Sequence, residues 1–189
     1  LNDAKTFDLF KKGDTTGVFQ FESDGMRDAL RLIKPDEFSD LYAINALYRP
    51  GPMENIPLYS RRKNNNEKID YLHPQLEPIL RETAGIIVYQ EQIMQIAVQI
   101  AGFTMAEADL LRRAVSKKKR EVLRQEREHF VRSAIQHNFP ERSASEIYDL
   151  IVKFADYGFP KSHAVAYSLI SYQLAYVKAN TPAYFYAAL

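Results

Sequence analysis

Two adjacent arginines, Arg112 and Arg113, are the side chains of this sequence best suited to binding a phosphorylated ligand. The apolar residues around them share one arc of a helix at about 100° per residue, so the two guanidinium groups straddle the opposite side. Forked guanidinium donors bind phosphate oxygens bidentately, and lysines after the helix add point charge. These lysines are Lys117, Lys118 and Lys119. An ordinary i,i+4 ion pair between Asp109 and Arg113, with Arg112 in solvent, explains the same spacing.

A second group of polar side chains opens a predicted helix near residue 162. Lys161, Ser162 and His163 follow a segment that glycine and proline break. The free N–H groups and positive dipole end of a helix N-terminus favour an anion, so Lys161 and Ser162 are suited to hold one. His163 and Tyr167 lie one turn apart on the same face. An N-cap serine, a surface histidine and a core tyrosine explain the same residues.

Arg49 and residues 89–92 carry weaker signals. Arg49 precedes Pro50-Gly51-Pro52, a rigid turn that would present its side chain to DNA or phosphate at a fixed point. A buried arginine that ties loops together explains it equally well. At 89–92, capping of the following helix by Glu91 and Gln92 is a sufficient explanation.

The residues needed for catalysis are missing. The chain has no cysteine, which excludes a disulfide framework and a thiolate nucleophile, and its four histidines are far apart in the sequence. There is no glycine-rich phosphate loop of Walker type and no Asp-x-Asp cluster for magnesium. We therefore expect no catalytic residue, metal site or bound cofactor in this chain. No run approaches the roughly 18 apolar residues of a membrane span, so we expect no membrane contact. The absence of cysteine fits a reducing compartment, so we expect a cytoplasmic location.

The charge of the 189-residue chain is unevenly distributed, although its formal net value is only +1. From residue 112 to residue 132, nine Arg or Lys residues stand against three Glu residues, so this segment carries +6. A concentrated positive segment in a near-neutral chain is typical of proteins that bind polyanions. A solvated helix face with i,i+4 ion pairs, such as Arg124 with Glu128, explains the same composition.

The hydrophobic periodicity predicts a mainly α fold, with one compact multi-helix domain over residues 1–189 and one or two short β-strands. The predicted helices cover residues 3–12, 23–33, 36–48, 90–101, 104–116, 143–157 and 162–179. Capping boxes open two of them, Thr104 with Glu107 and Ser143 with Glu146. Alternation at 16–22 and a β-branched run at 85–89 predict the strands. Residues 61–68 form the most loop-like polar stretch.

Taken in order, these segments resemble the fingers region of the bacterial C-family DNA polymerases, the DNA polymerase III alpha subunits, and the DnaE-type branch in particular. The matching motifs are 17–23 (GVFQFES), 46–52 (ALYRPGP), 85–92 (GIIVYQEQ), 108–114 (ADLLRRA), 154–159 (FADYGF), 161–164 (KSHA) and 171–173 (SYQ). The resemblance covers nearly the whole chain, in the order and approximate spacing of the family.

The resemblance implies that this chain is one part of a DNA-directed DNA polymerase and binds the incoming deoxynucleoside triphosphate (dNTP). In such a fingers region, an arginine pair grips the triphosphate. A Lys-Ser-His motif lies at the nucleotide pocket, where the histidine checks the sugar and a tyrosine lies alongside. The residues of this chain in those positions are Arg112, Arg113, Lys161, Ser162, His163 and Tyr167.

The resemblance also implies what lies outside the chain. The family's catalytic aspartates belong to its palm, and their motif is absent here. The Mg²⁺ ions of the intact polymerase would therefore bind elsewhere, and we expect this chain alone to make no DNA. The implied partners are the dNTP, primer-template DNA, the palm and thumb of the same subunit, and replisome subunits.

Two departures from the family pattern affect the turns beside these motifs. Ser116 stands where the family commonly has a glycine, and Pro160 stands where it commonly has an asparagine. Two alternatives stay open. One is a non-catalytic helical module that tracks a nucleic-acid backbone, and the other is the same region of an error-prone translesion paralogue.

Overall fold

Helices make up most of the protein. The computed structural model describes residues 1–116, 120–155 and 157–189. The α-helices of this described part are α1 (Ala4–Lys12), α2 (Asp24–Ile33), α3 (Phe38–Leu47), α4 (Ile56–Lys63), α5 (Glu77–Leu80), α6 (Gln90–Ala101), α7 (Met105–Ser116), α8 (Arg120–Gln136), α9 (Glu141–Ala155), α10 (Lys161–Asn180) and α11 (Pro182–Ala187). Short 3-10 helices lie at Pro52–Asn55, Pro74–Leu76 and Arg81–Thr83. The prediction of a mainly helical fold is confirmed.

The helices pack into two compact units. The first contains Leu1–Lys68 and Lys161–Leu189, and the second contains Ile69–Pro160. In the first, α10 packs against α1, α3 and α11, and in the second, α6, α7, α8 and α9 pack against one another. The single fingers-like domain over residues 1–189 stays a prediction, because a grouping of helices describes packing and not independent folding.

Local signals set the helix ends in the first unit. Asp3 caps α1, since its carboxylate accepts the N–H of Thr6 at 2.9 Å, and Gly13 ends the helix in the left-handed region at φ 66°. Ser23 caps α2 in the same way, through the N–H of Met26. These caps agree with the helices predicted over 3–12 and 23–33.

Buried polar contacts fix α10 within the first unit. The ammonium of Lys178 is buried and donates to the carbonyl oxygens of Asp14 at 2.9 Å and Thr16 at 3.0 Å. The side chain of Asn45 on α3 donates to Ser168 Oγ on α10 at 2.8 Å. Because a buried charge without partners is strongly unfavourable, the Lys178 contacts hold α10 against the segment that follows α1.

A second polar cluster joins α3 to α4. The carboxylate of Asp40 accepts the N–H groups of Asp36 and Glu37, lies 3.2 Å from Lys63 Nζ, and accepts the Tyr59 hydroxyl at 3.1 Å. Burial raises the pKa of Asp40. Burial and the neighbouring Asp40 charge together raise the pKa of Tyr59 well above its ordinary value. The cluster therefore anchors the last turn of α4.

The core of the second unit lies between the apolar faces of α6 to α9. Ile93, Leu111 and Phe130 are fully buried there. Gly102 ends α6 at φ 67°, and a Cβ at this position would overlap the ring of His137. Only glycine therefore suits this helix end.

The strand predicted over residues 16–22 is wrong. Two successive turns form instead, in which the N–H of Val18 bonds to Thr15 O and that of Phe21 bonds to Val18 O, each at 3.0 Å. Gln20 adopts φ 68°, which an extended strand does not allow. Val18 and Phe21 are both buried. The apparent alternation thus reflects two core side chains three residues apart.

The strand predicted over residues 85–89 is also wrong, since the described part of the chain contains no β-strand. Tyr89 forms a single parallel bridge with Phe159. The N–H groups of Val88 and Tyr89 are instead bonded to the side chain of Gln92, at 2.8 and 2.9 Å. A side chain therefore takes the place of a neighbouring strand.

Two smaller predictions need correction. The Ser143–Glu146 capping box does not open a helix, because α9 begins at Glu141 and the Glu146 carboxylate pairs with Arg142 at 3.0 Å. The polar stretch 61–68 is not entirely a loop, because α4 continues through Lys63. In the described residues, no helix combines the length and apolar character that a membrane crossing requires.

Candidate nucleotide site

Helix α7 carries the arginine pair, and a capping box fixes its start. The carboxylate of Glu107 accepts the N–H and the hydroxyl of Thr104, each at 2.8 Å, and Thr104 Oγ1 accepts the N–H of Glu107 at 3.3 Å. This predicted capping box is confirmed. The bonds from the Thr104 N–H and hydroxyl lower the pKa of Glu107.

The lowered pKa of Glu107 gives stability that is lost in acid. A carboxyl group whose pKa is depressed by folding stabilises the fold above its ordinary pKa, and this contribution disappears as the pH falls through the folded value. A glutamine side chain at position 107 cannot titrate. We therefore expect the urea midpoint to fall less between about pH 5 and about pH 3 in Glu107→Gln than in the unmodified chain. An equal fall in both proteins would contradict this expectation.

One carboxylate holds the two arginines of α7. Asp109 Oδ1 lies 2.7 Å from Arg112 Nη2, and Asp109 Oδ2 lies 2.7 Å from Arg113 Nη2. The hydrogen bond from Arg112, with the charges of both arginines, lowers the pKa of Asp109. The ordinary i,i+4 pair is therefore present, but it is half of a bridge in which one aspartate orients two guanidinium groups.

The two arginines differ in exposure. The side chain of Arg113 is 64% exposed, whereas that of Arg112 is 20% exposed and therefore not in solvent. Arg112 Nη1 also donates to Gln90 Oε1 at 3.3 Å. The amide of Gln90 in turn donates to Gly158 O at 3.1 Å, and its backbone N–H bonds to Phe159 O. Gln90 thus holds Arg112, a contact that sequence spacing does not reveal.

The second group of site residues lies at the start of α10. Ser162 and His163 are exposed, and Ser162 is the second residue of the helix rather than its N-cap. The rings of His163 and Tyr167 are in contact at a tilt of 33°, with centroids 4.2 Å apart. Lys161 Nζ lies 5.8 Å from the centroid of the Tyr42 ring. Tyr167 is 37% exposed, so it is not a core residue.

Arg49 is half-buried in the first unit. Its Nε donates to Ala46 O at 2.8 Å, and burial lowers its pKa. Through this bond the side chain supports the turn that follows α3. A contact of Arg49 with DNA or phosphate stays a prediction.

The site residues fall in both packing units. Arg112 and Arg113 belong to the second unit, which contains Asp109 and Gln90 as their partners. The Lys-Ser-His group and its tyrosine belong to the first unit. The predicted phosphate contacts of Lys117, Lys118 and Lys119 lie outside the described residues.

Comparison with known proteins identifies the family. Residues 1–138 match the family described as the bacterial DNA polymerase III alpha subunit finger domain. The chain belongs to this family. The predicted family resemblance is thereby confirmed, and the helical architecture is that of a finger domain.

Relatives of this finger domain are DNA polymerase III alpha subunits. The chain is 64% identical over 189 residues to the subunit of Halalkalibacterium halodurans, and all of the chain is covered. It is 55% identical over 186 residues to the subunit of Staphylococcus epidermidis, with 98% of the chain covered. The matched region makes up only 17% and 18% of those two relatives.

The positive segment of this finger domain is largely paired with acidic side chains where the structure describes it. Arg124 on α8 lies 3.0 Å from Glu121 and 3.9 Å from Glu128. Arg127 lies 3.1 Å from Asp149 on α9. These ion pairs agree with the alternative interpretation of the positive segment, a solvated helix face with ion pairs.

The described residues of the finger domain offer no suitable set of magnesium ligands. Mg²⁺ prefers clustered carboxylate oxygens. No three His, Asp or Glu side chains of residues 1–116, 120–155 and 157–189 are grouped so that they could hold a metal ion.

Proposed function

We propose that this finger domain binds and orients the incoming dNTP of a DNA-directed DNA polymerase and helps to position the template during replication. The observation that carries the proposal is the pair Arg112 and Arg113 held on Asp109. A triphosphate presents several oxygens in a row, which suits two adjacent guanidinium forks. Because the forks are already oriented, little side-chain freedom is lost when the phosphates bind.

The start of α10 supports the same proposal. Lys161 and the positive dipole end of the 20-residue helix α10 offer positive charge to phosphate oxygens, with Ser162 beside them. His163 and Tyr167 present a pair of rings in contact next to these groups. We assign the phosphate contact to Lys161 and Ser162, and the contact with the sugar to His163 with Tyr167.

The rest of the alpha subunit would supply the remaining parts of the enzyme. We propose that the palm binds Mg²⁺ and carries the catalytic carboxylates, while Arg49 and Lys117, Lys118 and Lys119 contact primer-template DNA. Metal ions there would orient the primer hydroxyl and neutralise the leaving pyrophosphate. The thumb, the replisome subunits and a cytoplasmic location belong to the same proposal, as does the inactivity of this chain alone.

The complete alpha subunit with Lys161→Met tests this assignment. We expect the KM for the dNTP to rise by roughly tenfold, because one charge-assisted hydrogen bond is worth about 1.5–3 kcal/mol. The affinity for primer-template DNA should stay unchanged. Arg124→Met is the matched control, because it removes an exposed positive charge on α8, and it should leave the KM unchanged.

A backbone-tracking module predicts the opposite pattern. It would lose DNA affinity evenly when Lys117, Lys118, Lys119 or Arg124 is replaced, and it would show no localised effect on nucleotide binding. That result would overturn the proposed nucleotide site.

A further inference from the structure

Three aromatic rings form a chain of contacts near the start of α10, with Tyr167 touching the other two. The ring centroid of His163 lies 4.2 Å from that of Tyr167, and the Tyr167 centroid lies 5.5 Å from that of Phe19. The planes within these pairs are inclined by 33° and 36°. Phe19 is 39% exposed, a large fraction for a phenylalanine in a turn with buried neighbours on both sides. Its ring therefore packs on Tyr167 at the surface and not in the core.

The backbone holds Phe19 in this place. Val18 and Phe21 are fully buried on either side of it. The hydroxyl of Thr15 donates to the carbonyl of Phe21 at 2.5 Å, which closes the turn. The buried hydroxyl of Ser171, on α10, lies 2.7 Å from Phe19 O and donates to it. The turn is thus attached to the same helix that carries His163 and Tyr167.

We propose that Phe19 is a positioning residue that fixes the orientation of His163 through the ring of Tyr167. A side chain packed against a neighbouring ring samples fewer rotamers than it does without that contact. Contact with the Tyr167 ring restricts His163, and contact with the Phe19 ring restricts Tyr167. The inference rests on the proposed function, in which His163 contacts the sugar of the nucleotide.

Discrimination between two sugars depends on the exact orientation of the histidine ring. A contact that separates a deoxyribose from a ribose must distinguish one hydroxyl group, so a small rotation of the histidine ring weakens it. A pair of aromatic rings contributes about 0.5–1.5 kcal/mol beyond its buried area. Loss of the Phe19 ring should therefore change the discrimination between deoxyribose and ribose by roughly two- to tenfold.

The experiment measures the ratio of kcat/KM for a dNTP to kcat/KM for the matching ribonucleotide in the complete alpha subunit. Phe19→Leu should lower this ratio by roughly two- to tenfold, while Phe19→Tyr, which keeps a ring, should preserve it. In a Tyr167→Leu background, Phe19→Leu should have no additional effect, because the proposed connection is already broken. Phe7→Leu is the structural control, since it removes a buried ring that packs on Tyr172 instead.

Each outcome decides between the two proposals. If His163→Ala lowers the ratio but Phe19→Leu does not, the inference fails and the proposed function stands. Additive effects in the Tyr167→Leu background would also overturn the inference, as would an equal loss in Phe7→Leu. If His163→Ala leaves the ratio unchanged, the proposed contact with the sugar fails, and the role of Phe19 fails with it.

Discussion

Replacing both Arg112 and Arg113 with alanine in the complete alpha subunit is expected to raise the KM for the dNTP by roughly a hundredfold or more. In the proposed site each arginine would contribute charge-assisted hydrogen bonds of about 1.5–3 kcal/mol, and about 1.4 kcal/mol corresponds to a factor of ten. We expect kcat to fall less than the KM rises, because both arginines would bind the ground-state triphosphate as well as the transition state. Steady-state incorporation of a single nucleotide measures both constants.

The single variants should differ, because the two arginines have different surroundings. Arg112 is mostly buried and bonds to Gln90 as well as Asp109, so Arg112→Ala removes a structural contact together with the proposed phosphate contact. Arg113 is mostly exposed and bonds to Asp109. Arg113→Ala should therefore raise the KM without changing the thermal stability, whereas Arg112→Ala should change both.

The matched control is the double variant Arg124→Ala with Arg127→Ala, which removes two positive charges from α8. Both arginines already pair with acidic side chains. Exposed pairs of this kind contribute roughly 0–1 kcal/mol, so this control should leave the KM close to the normal value. A KM that is unchanged in the α7 double variant, or raised equally in the control, would show that the α7 arginines do not bind the triphosphate.

Local signals explain why so much of the helical structure could be predicted. The caps at Asp3 and Ser23 and the Thr104–Glu107 capping box involve residues within three positions of one another, so they can be read from the sequence. The same signal misled at Ser143 and Glu146. There the helix begins earlier, after Pro140, and Glu146 pairs with Arg142 instead.

The errors at the two predicted strands have a common cause. Alternating or β-branched apolar residues indicate burial, but they do not specify what satisfies the backbone. At 16–22 the backbone bonds close within the turn, and at 85–89 the Gln92 side chain supplies an acceptor. The first arrangement leaves no pattern distinct from that of a strand, whereas the capping role of Gln92 could be inferred from its place at the start of α6.

The candidate site also contains contacts that the sequence could predict and contacts that it could not. Asp109 is three and four residues from its arginines, so its pairing with Arg113 could be anticipated from spacing. The contact from Gln90 to Arg112 spans 22 residues, and the contact of Phe19 with Tyr167 joins a turn to a distant helix. Such contacts are set by tertiary packing, so the sequence identified the groups but not the residues that orient them.

Gln92→Leu is expected to be the most destabilising substitution of a polar residue outside the site. The Gln92 side chain is almost completely buried, and its Oε1 accepts the N–H groups of Val88 and Tyr89. Its Nε2 donates to Ile79 O at 3.2 Å and to Thr83 Oγ1 at 2.8 Å. Leucine has a similar size. Thr83 Oγ1 would keep its bonds to Leu80 O and Ile86 O, but the buried N–H groups of Val88 and Tyr89 would lose their side-chain acceptor. Each such group costs about 1–3 kcal/mol, so the free energy of unfolding should fall by roughly 3 kcal/mol or more.

Urea unfolding of the purified chain measures this loss, and two further variants assign its cause. Gln99→Leu is the matched control, because Gln99 is also on α6 but is exposed, and it should change the stability by less than about 0.5 kcal/mol. Gln92→Glu keeps the acceptor for Val88 and Tyr89 but loses the donor and buries a charge, so it should also destabilise the chain.

Equal losses at positions 92 and 99 would mean that the four buried bonds contribute little. A large loss at position 92 alone would show that a side chain replaces a strand at the start of α6. Because Gln90 begins that helix and holds Arg112, the same variant should also raise the KM of the complete subunit for the dNTP.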